Sequence, residues 1–149
     1  MRIRAMDRWR EERGSSLIEF ALISVMLVIV LVGVVEMGRM VLVYTTIANA
    51  ARAGARYAIV HGADQTVSPS GPGNPCTCPN VKTAVKNFAS AGLVNISQLT
   101  ITVSYPNGSN TAGSPVTVKV TYTYDPLINY FSSILNKTLG STSEGVITF

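Results

Sequence analysis

Residues 13–20 read Arg13-Gly14-Ser15-Ser16-Leu17-Ile18-Glu19-Phe20 and open directly into the uncharged run FALISVMLVIVLVGVV at residues 20–35. Leu17 and Ile18 extend that run on its N-terminal side. As a helix, residues 17–35 cover about 28 Å at the usual rise per residue. That is close to the ~30 Å hydrocarbon core of a bilayer, so the stretch reads as a membrane span. The 149-residue chain is 47% hydrophobic and only 13% charged, more apolar than a soluble domain of its size, and this run holds the excess.

Charge sets the expected orientation. The chain carries a formal +4, but residues 1–14 hold Arg2, Arg4, Arg8, Arg10 and Arg13 against Asp7, Glu11 and Glu12. Half of the excess therefore lies just before the span, where basic residues keep that end in the cytoplasm. The remaining basic residues are scattered and accompany no recognition module, so nucleic acid is not an expected partner. Everything after Val35 is expected outside the cytoplasm, where thiols oxidise. Cys76 and Cys78 sit in the segment NPCTCPN. A small-ring disulfide or a bridge to another chain outweighs a metal site there, because two ligands without a second cluster fall short of four.

A secretory signal would place a small-residue cleavage site directly after a short apolar stretch. Here the apolar stretch is long, and the A-x-A patterns at Ala48 to Ala50 and Ala51 to Ala53 come more than a dozen residues later. Glu19 stands out by itself as a lone carboxylate in an apolar stretch. An ionisable residue in a span is costly and by default marks function with a partner, unless it sits shallow enough to be solvated.

Past Val35 the chain turns amphipathic and runs to about Ile59 without proline. Met40, Tyr44, Ile47, Ala51, Ala55 and Ala58 recur at helical spacing, with Thr45, Asn49, Arg52 and Arg56 on another side. One helix over residues 16–59, about 65 Å long, is expected. The segment NAARAGARYA at residues 49–58 is rich in small residues, which let another backbone approach closely. Ala48, Ala51, Gly54, Ala55 and Ala58 are the candidate packing face, and the same alanines are expected to dock the helix partly onto the chain's own head. Glu36 and Arg39, three apart, form a candidate pair of small worth if exposed.

These pieces carry a resemblance. A glycine, then four residues, then Glu and an aromatic entering a long apolar helix resembles the processing site of type IV pilin precursors. The combination RGSSLIEFAL, EMGR at residues 36–39 and NAARAGARYA is similar to the TadE-like family, pseudopilins of the tight-adherence (Flp) pilus system. The resemblance implies cleavage by a prepilin peptidase between Gly14 and Ser15, leaving Glu19, followed by Phe20, as the fifth mature residue. It also implies a bacterial inner-membrane, single-pass subunit whose partners are the peptidase, other pilin subunits, the assembly machinery and the lipid bilayer. The expected divisions are a cytoplasmic leader at residues 1–14, a long helix at 15–60 with its span at 17–35, and an extracytoplasmic head at 61–149.

In the head, residues 61–79 concentrate Gly, Pro and Ser and read as a loop. Val81, Ala84, Val85, Phe88 and Ala89 fall at helical spacing, with Asn80 as cap and Gly92 as stop. Leu99, Ile101, Val103 and Tyr105 alternate with polar residues, as do Val116, Val118, Val120, Tyr122 and Tyr124, across a turn at Pro106-Asn107-Gly108. That patterning predicts an antiparallel hairpin with one buried face. Residues 127–139 read as a short helix or ordered loop, and residues 144–149 as a last strand. The expected class is α+β: a long N-terminal helix and a head of one helix on a three-stranded antiparallel sheet, the lollipop of type IV pilins.

No constellation of catalytic residues, metal ligands or phosphate-cradling glycines accompanies this plan. His61 reads as a solvated or capping residue. The three Asn-x-Ser/Thr triplets beginning at Asn95, Asn107 and Asn136 read as coincidental. The chain is thus expected to be no enzyme, with no cofactor and no small-molecule substrate, and to serve as an accessory pilin in assembly, surface adhesion and biofilm formation. The alternative is a single-pass anchored binding module that never enters a filament.

Overall fold

The computed structural model describes residues 4–63, 71, 76–93, 95–127 and 136–148, with side chains described from Gly14 on. The elements are the helices α1 (Arg4–Val60) and α2 (Pro79–Ala89), a single 3-10 turn (Ile96–Gln98), and the strands β1 (Leu99–Ser104), β2 (Pro115–Thr123) and β3 (Thr138–Val146). By compactness the chain divides into two units, Met1–Gly38 and Arg39–Phe149. The class is α+β, as expected.

In the first unit, the helix carries its apolar side chains outward. Leu17, Phe20, Leu22, Met26, Ile29, Leu31 and Val35 are all more than half exposed. No proline occurs before Pro69, so nothing in the sequence breaks the backbone ladder. The helix begins at Arg4, well before the expected start near Ser16. Glu36 is buried and Arg39 half-buried, not an exposed pair.

In the second unit, the rest of α1 turns a stripe inward: Val43, Ile47, Ala50, Ala51, Gly54, Ala55 and Ala58 are buried. This is the i, i+3, i+4 spacing of an amphipathic helix. Tyr44, expected on that stripe, is half exposed, and Val43 takes its place one residue back. α2 starts on Pro79, whose fixed φ suits a first turn, and buries Val81, Val85 and Ala89. It ends as Ser90 N–H donates to Lys86 O, and Gly92 and Leu93 N–H donate to Ala89 O.

The sheet is an antiparallel meander in the order β1-β2-β3. Leu99 lies opposite Tyr122 and Val103 opposite Val118; Pro115 lies opposite Val146 and Thr123 opposite Thr138. The alternation is realised on its inner face, where Val103, Tyr105, Val116, Val118, Val120, Tyr122 and Tyr124 are buried. The turn between β1 and β2 closes with Gly108 N–H on Tyr105 O at 2.9 Å. Gly108 and Gly113 both have positive φ, which glycine adopts without penalty.

The last strand differs from expectation: it runs from Thr138 to Val146, not over residues 144–149. Its sequence, TLGSTSEGV, has almost no apolar alternation to announce it, because its inward positions are Leu139, Ser141, Ser143 and Gly145. Small inward residues let α1 come near; a Cβ at Gly145 would run into Ile59. Residues 128–135, most of the expected helix or loop there, lie outside the described residues, as does much of the expected loop at 61–79.

Gly54 sits where α1 passes close to α2 and β2. A Cβ there would run into Val85 and would lie 3.2 Å from Val118. Gly54→Ala is therefore expected to destabilise the second unit by about 1–3 kcal/mol, the usual cost of overpacking. Gly38→Ala, with nothing within 4 Å of its would-be Cβ, should be neutral or gain up to about 1 kcal/mol from helix propensity. Thermal unfolding of the full chain in micelles, read by circular dichroism, separates the two.

Candidate processing and packing sites

Gly14 and Ser15 lie within α1, Gly14 half-buried and Ser15 exposed. Glu19 and Phe20 follow one turn on, both exposed, and Phe20 is 70% exposed. Among the described residues, nothing lies within 4 Å of where a Cβ at Gly14 would stand. A peptidase that reads an exposed backbone needs such open ground, although a helical peptide bond has to be drawn out of its ladder before it can be cut. From Gly14 to Val60 the helix has a mean hydropathy of 2.9 over its most apolar stretch, and none of that stretch is buried. It is long and apolar enough to cross a membrane.

Ala51, Gly54, Ala55 and Ala58 face the other way from solvent, inside the second unit, while Ala48 is half-buried. Ala51, Ala55 and Ala58 join one core cluster with Val81 and Val85 of α2 and with Val116, Val118 and Val120 of β2. Small side chains on one element and valines on the other two fit as knobs against a flat strip. Arg52 and Arg56 stay exposed on the opposite side, Arg52 donating to Asn49 Oδ1 at 3.2 Å.

The C-terminal end of α1 is closed by His61, which of the two readings, solvated or capping, takes the second. Its backbone N–H donates to Tyr57 O at 3.0 Å, and its Nδ1 lies 3.0 Å from the same oxygen. The imidazole stacks on the Tyr57 ring at 4.0 Å. Thr148 donates twice to Ile59 O, from its N–H at 3.1 Å and its Oγ1 at 3.2 Å. Helix ends leave carbonyls without intrahelical partners, and here a ring and the last residues of the chain supply donors. Arg39 places its guanidinium 5.7 Å from the centre of the Tyr124 ring, within cation–π range. That contact was not readable from the sequence, since 85 residues separate the partners.

Cys76 and Cys78 are buried, with Cα atoms 5.2 Å apart, a separation a disulfide spans. Both sulfurs approach the Gly71 carbonyl, at 3.5 and 3.6 Å. Cys78 has φ +30, unusual for a residue with a side chain, and directly precedes α2. Cys76 N–H donates to Val103 O at 3.0 Å, an isolated bridge to β1. Among the described residues no group of three or more His, Cys, Asp or Glu could hold a metal ion.

Residues 14–56 match the family model of the TadE-like protein. The match begins on Gly14 and ends on Arg56, so it covers the glycine, Glu19, the apolar run and most of the small-residue stripe. The TadE-like resemblance read from RGSSLIEFAL, EMGR and NAARAGARYA is thereby borne out over the stretch that carries it. No curated protein and no solved structure matches the chain.

A Cys76–Cys78 disulfide predicts a clear labelling result. Unfolded in denaturant without reductant, the chain should take up no thiol-alkylating reagent, and after reduction it should take up two equivalents. Intact-mass spectrometry reads both states, and two equivalents before reduction would show free thiols.

Proposed function

We propose that the chain is an accessory, pilin-like subunit of a tight-adherence (Flp-type) pilus, cut after Gly14 by a prepilin peptidase and anchored by the helix that follows. The observation that carries this reading is one of position. The TadE-like match starts on the glycine, the lone carboxylate Glu19 follows five residues later, and the exposed apolar helix starts there. Cleavage at this bond would create an α-amino group four residues from Glu19. An opposite charge so placed, on the same or a neighbouring subunit, offsets the cost of a carboxylate in an apolar setting.

In this reading residues 1–14 are a cytoplasmic leader, residues 15–60 the anchor and rod, and residues 61–149 the extracytoplasmic head. The apolar helix lies in the bacterial inner membrane until the assembly machinery draws it among other pilin helices. The chain acts by packing and by display, without chemistry of its own, and its contribution is to pilus assembly and so to surface adhesion and biofilm formation. The stripe of Ala48, Ala51, Gly54, Ala55 and Ala58 steadies the rod, and Ala48, half-buried within its own chain, is the member most open to a neighbouring helix.

The N-terminal mass of the chain from native membranes or sheared filaments tests the proposal. The mature chain is expected to begin at Ser15, and Gly14→Ala to remain full length. Glu19→Ala should still be cut and inserted but should fall out of sheared filaments. A native chain that begins at Met1 would overturn the pilin reading in favour of a plain membrane-anchored binding module.

A further inference from the structure

The two edges of the sheet are finished differently. On the β1 side Cys76 forms its bridge to Val103, and Pro106 follows soon after the strand ends. Proline and covering segments are ordinary ways to stop an edge from recruiting another strand. β3 contains no proline, and among the described residues no bridge is formed on its outer edge. It runs nine residues in unbroken one-to-one register with β2, so no bulge bends it away. It contains no lysine, and its one charge is Glu144. Among the described residues, no strand pairs with its outer edge.

We propose that β3 is a docking edge for β3 of a second copy of this chain, paired antiparallel about Thr142. The sequence of the strand argues for that occupant. A two-fold axis at Thr142 sets Ser141 opposite Ser143, Gly140 opposite Glu144, Leu139 opposite Gly145 and Thr138 opposite Val146. Glu144 thus meets a glycine instead of its own symmetry mate, which would set like charges directly opposite. Leu139, the bulkiest inward residue, meets Gly145, and Thr142 meets its equivalent hydroxyl. Only this centre uses all nine residues. A centre between two residues would oppose inward positions to outward ones, the fault of any one-residue slip. Self-complementarity about one axis is what an isologous contact between copies requires. The pairing stands apart from the filament reading, since an anchored, uncut chain carries the same edge.

Cysteine cross-linking of the full chain in native membranes tests it, in the wild-type leader background and in Gly14→Ala. Thr142→Cys is expected to form a disulfide-linked dimer on mild oxidation in both backgrounds. Thr102→Cys, an exposed position on β1, should stay monomeric. When differently tagged Thr138→Cys and Val146→Cys chains are expressed together, mixed dimers should exceed either homodimer. Thr142→Cys giving no more dimer than Thr102→Cys would overturn the proposal, as would Thr138→Cys homodimers matching the mixed ones. Dimers in both backgrounds while the wild-type chain still begins at Met1 would leave this pairing standing although the pilin reading fails.

Discussion

The second unit depends on how near α1 can come to α2 and the sheet. Helices ordinarily pack with axes 8–10 Å apart, the distance being set by the side chains at the contact. Gly54 leaves no Cβ between the helix backbone and the Val85 and Val118 side chains, and Ala51, Ala55 and Ala58 extend the same low surface along the rod. The valines of α2 and β2 supply the volume that the helix withholds. Stiff, β-branched valines keep their place on the pleated surface, while the alanines pay no side-chain entropy on burial. Within the second unit, shape is thus divided between the elements: a smooth helix face, and valines of α2 and β2 that close on it.

The same helix solves a different problem at its other end. In the first unit Leu17, Phe20, Leu22, Met26, Ile29, Leu31 and Val35 are all exposed, and among the described side chains there only Glu36 is buried. Fully burying one such aliphatic side chain is worth about 1.5–3 kcal/mol, so a helix of this kind left in water would forgo a very large favourable term. A hydrocarbon surrounding recovers it, and the backbone ladder meets the bilayer's demand that every polar backbone group be satisfied within the segment. The amphipathic pattern starts with Met40, partly buried against the core, and Val43, fully within it, where one face has a core to meet.

Much of this was legible because the elements in question bury one face. The alternation of Val116, Val118, Val120, Tyr122 and Tyr124 declares β2 outright, and Val81, Val85 and Ala89 declare α2. β3 was legible only in its last residues, because its side chains bury little and its place is held by the backbone ladder to β2 and by small inward residues. Periodicity sees apolar side chains, not hydrogen-bonded backbone. Tyr44 was misassigned for a related reason: a large aromatic at helical spacing fits the stripe on paper, but the slimmer Val43 fits beside the head. Whether Glu36 is exposed is left open by its spacing from Arg39, and its burial is a fact that no local pattern encodes. Of the candidate sites, Gly14, Glu19 and the alanine stripe were visible as local patterns, whereas the Cys76 bridge to Val103 and the Arg39 contact with Tyr124 join positions far apart in the chain.

The cysteine loop shows how little covalent material is needed to finish the head. α2 has no side-chain cap at its first turn, and the residue before it holds a left-handed backbone that a cysteine does not favour alone. A bond between Cys76 and Cys78 would fix that conformation from both sides, while the Cys76 amide ties the same residues to β1. The start of α2 and one sheet edge are then set by a three-residue loop. Chain entropy argues for the economy of this placement. Closing so short a loop removes little freedom from the unfolded chain, so the value of the bond lies in local geometry: it holds Pro79 where α2 must begin, and with it Val81 and Val85 against Gly54.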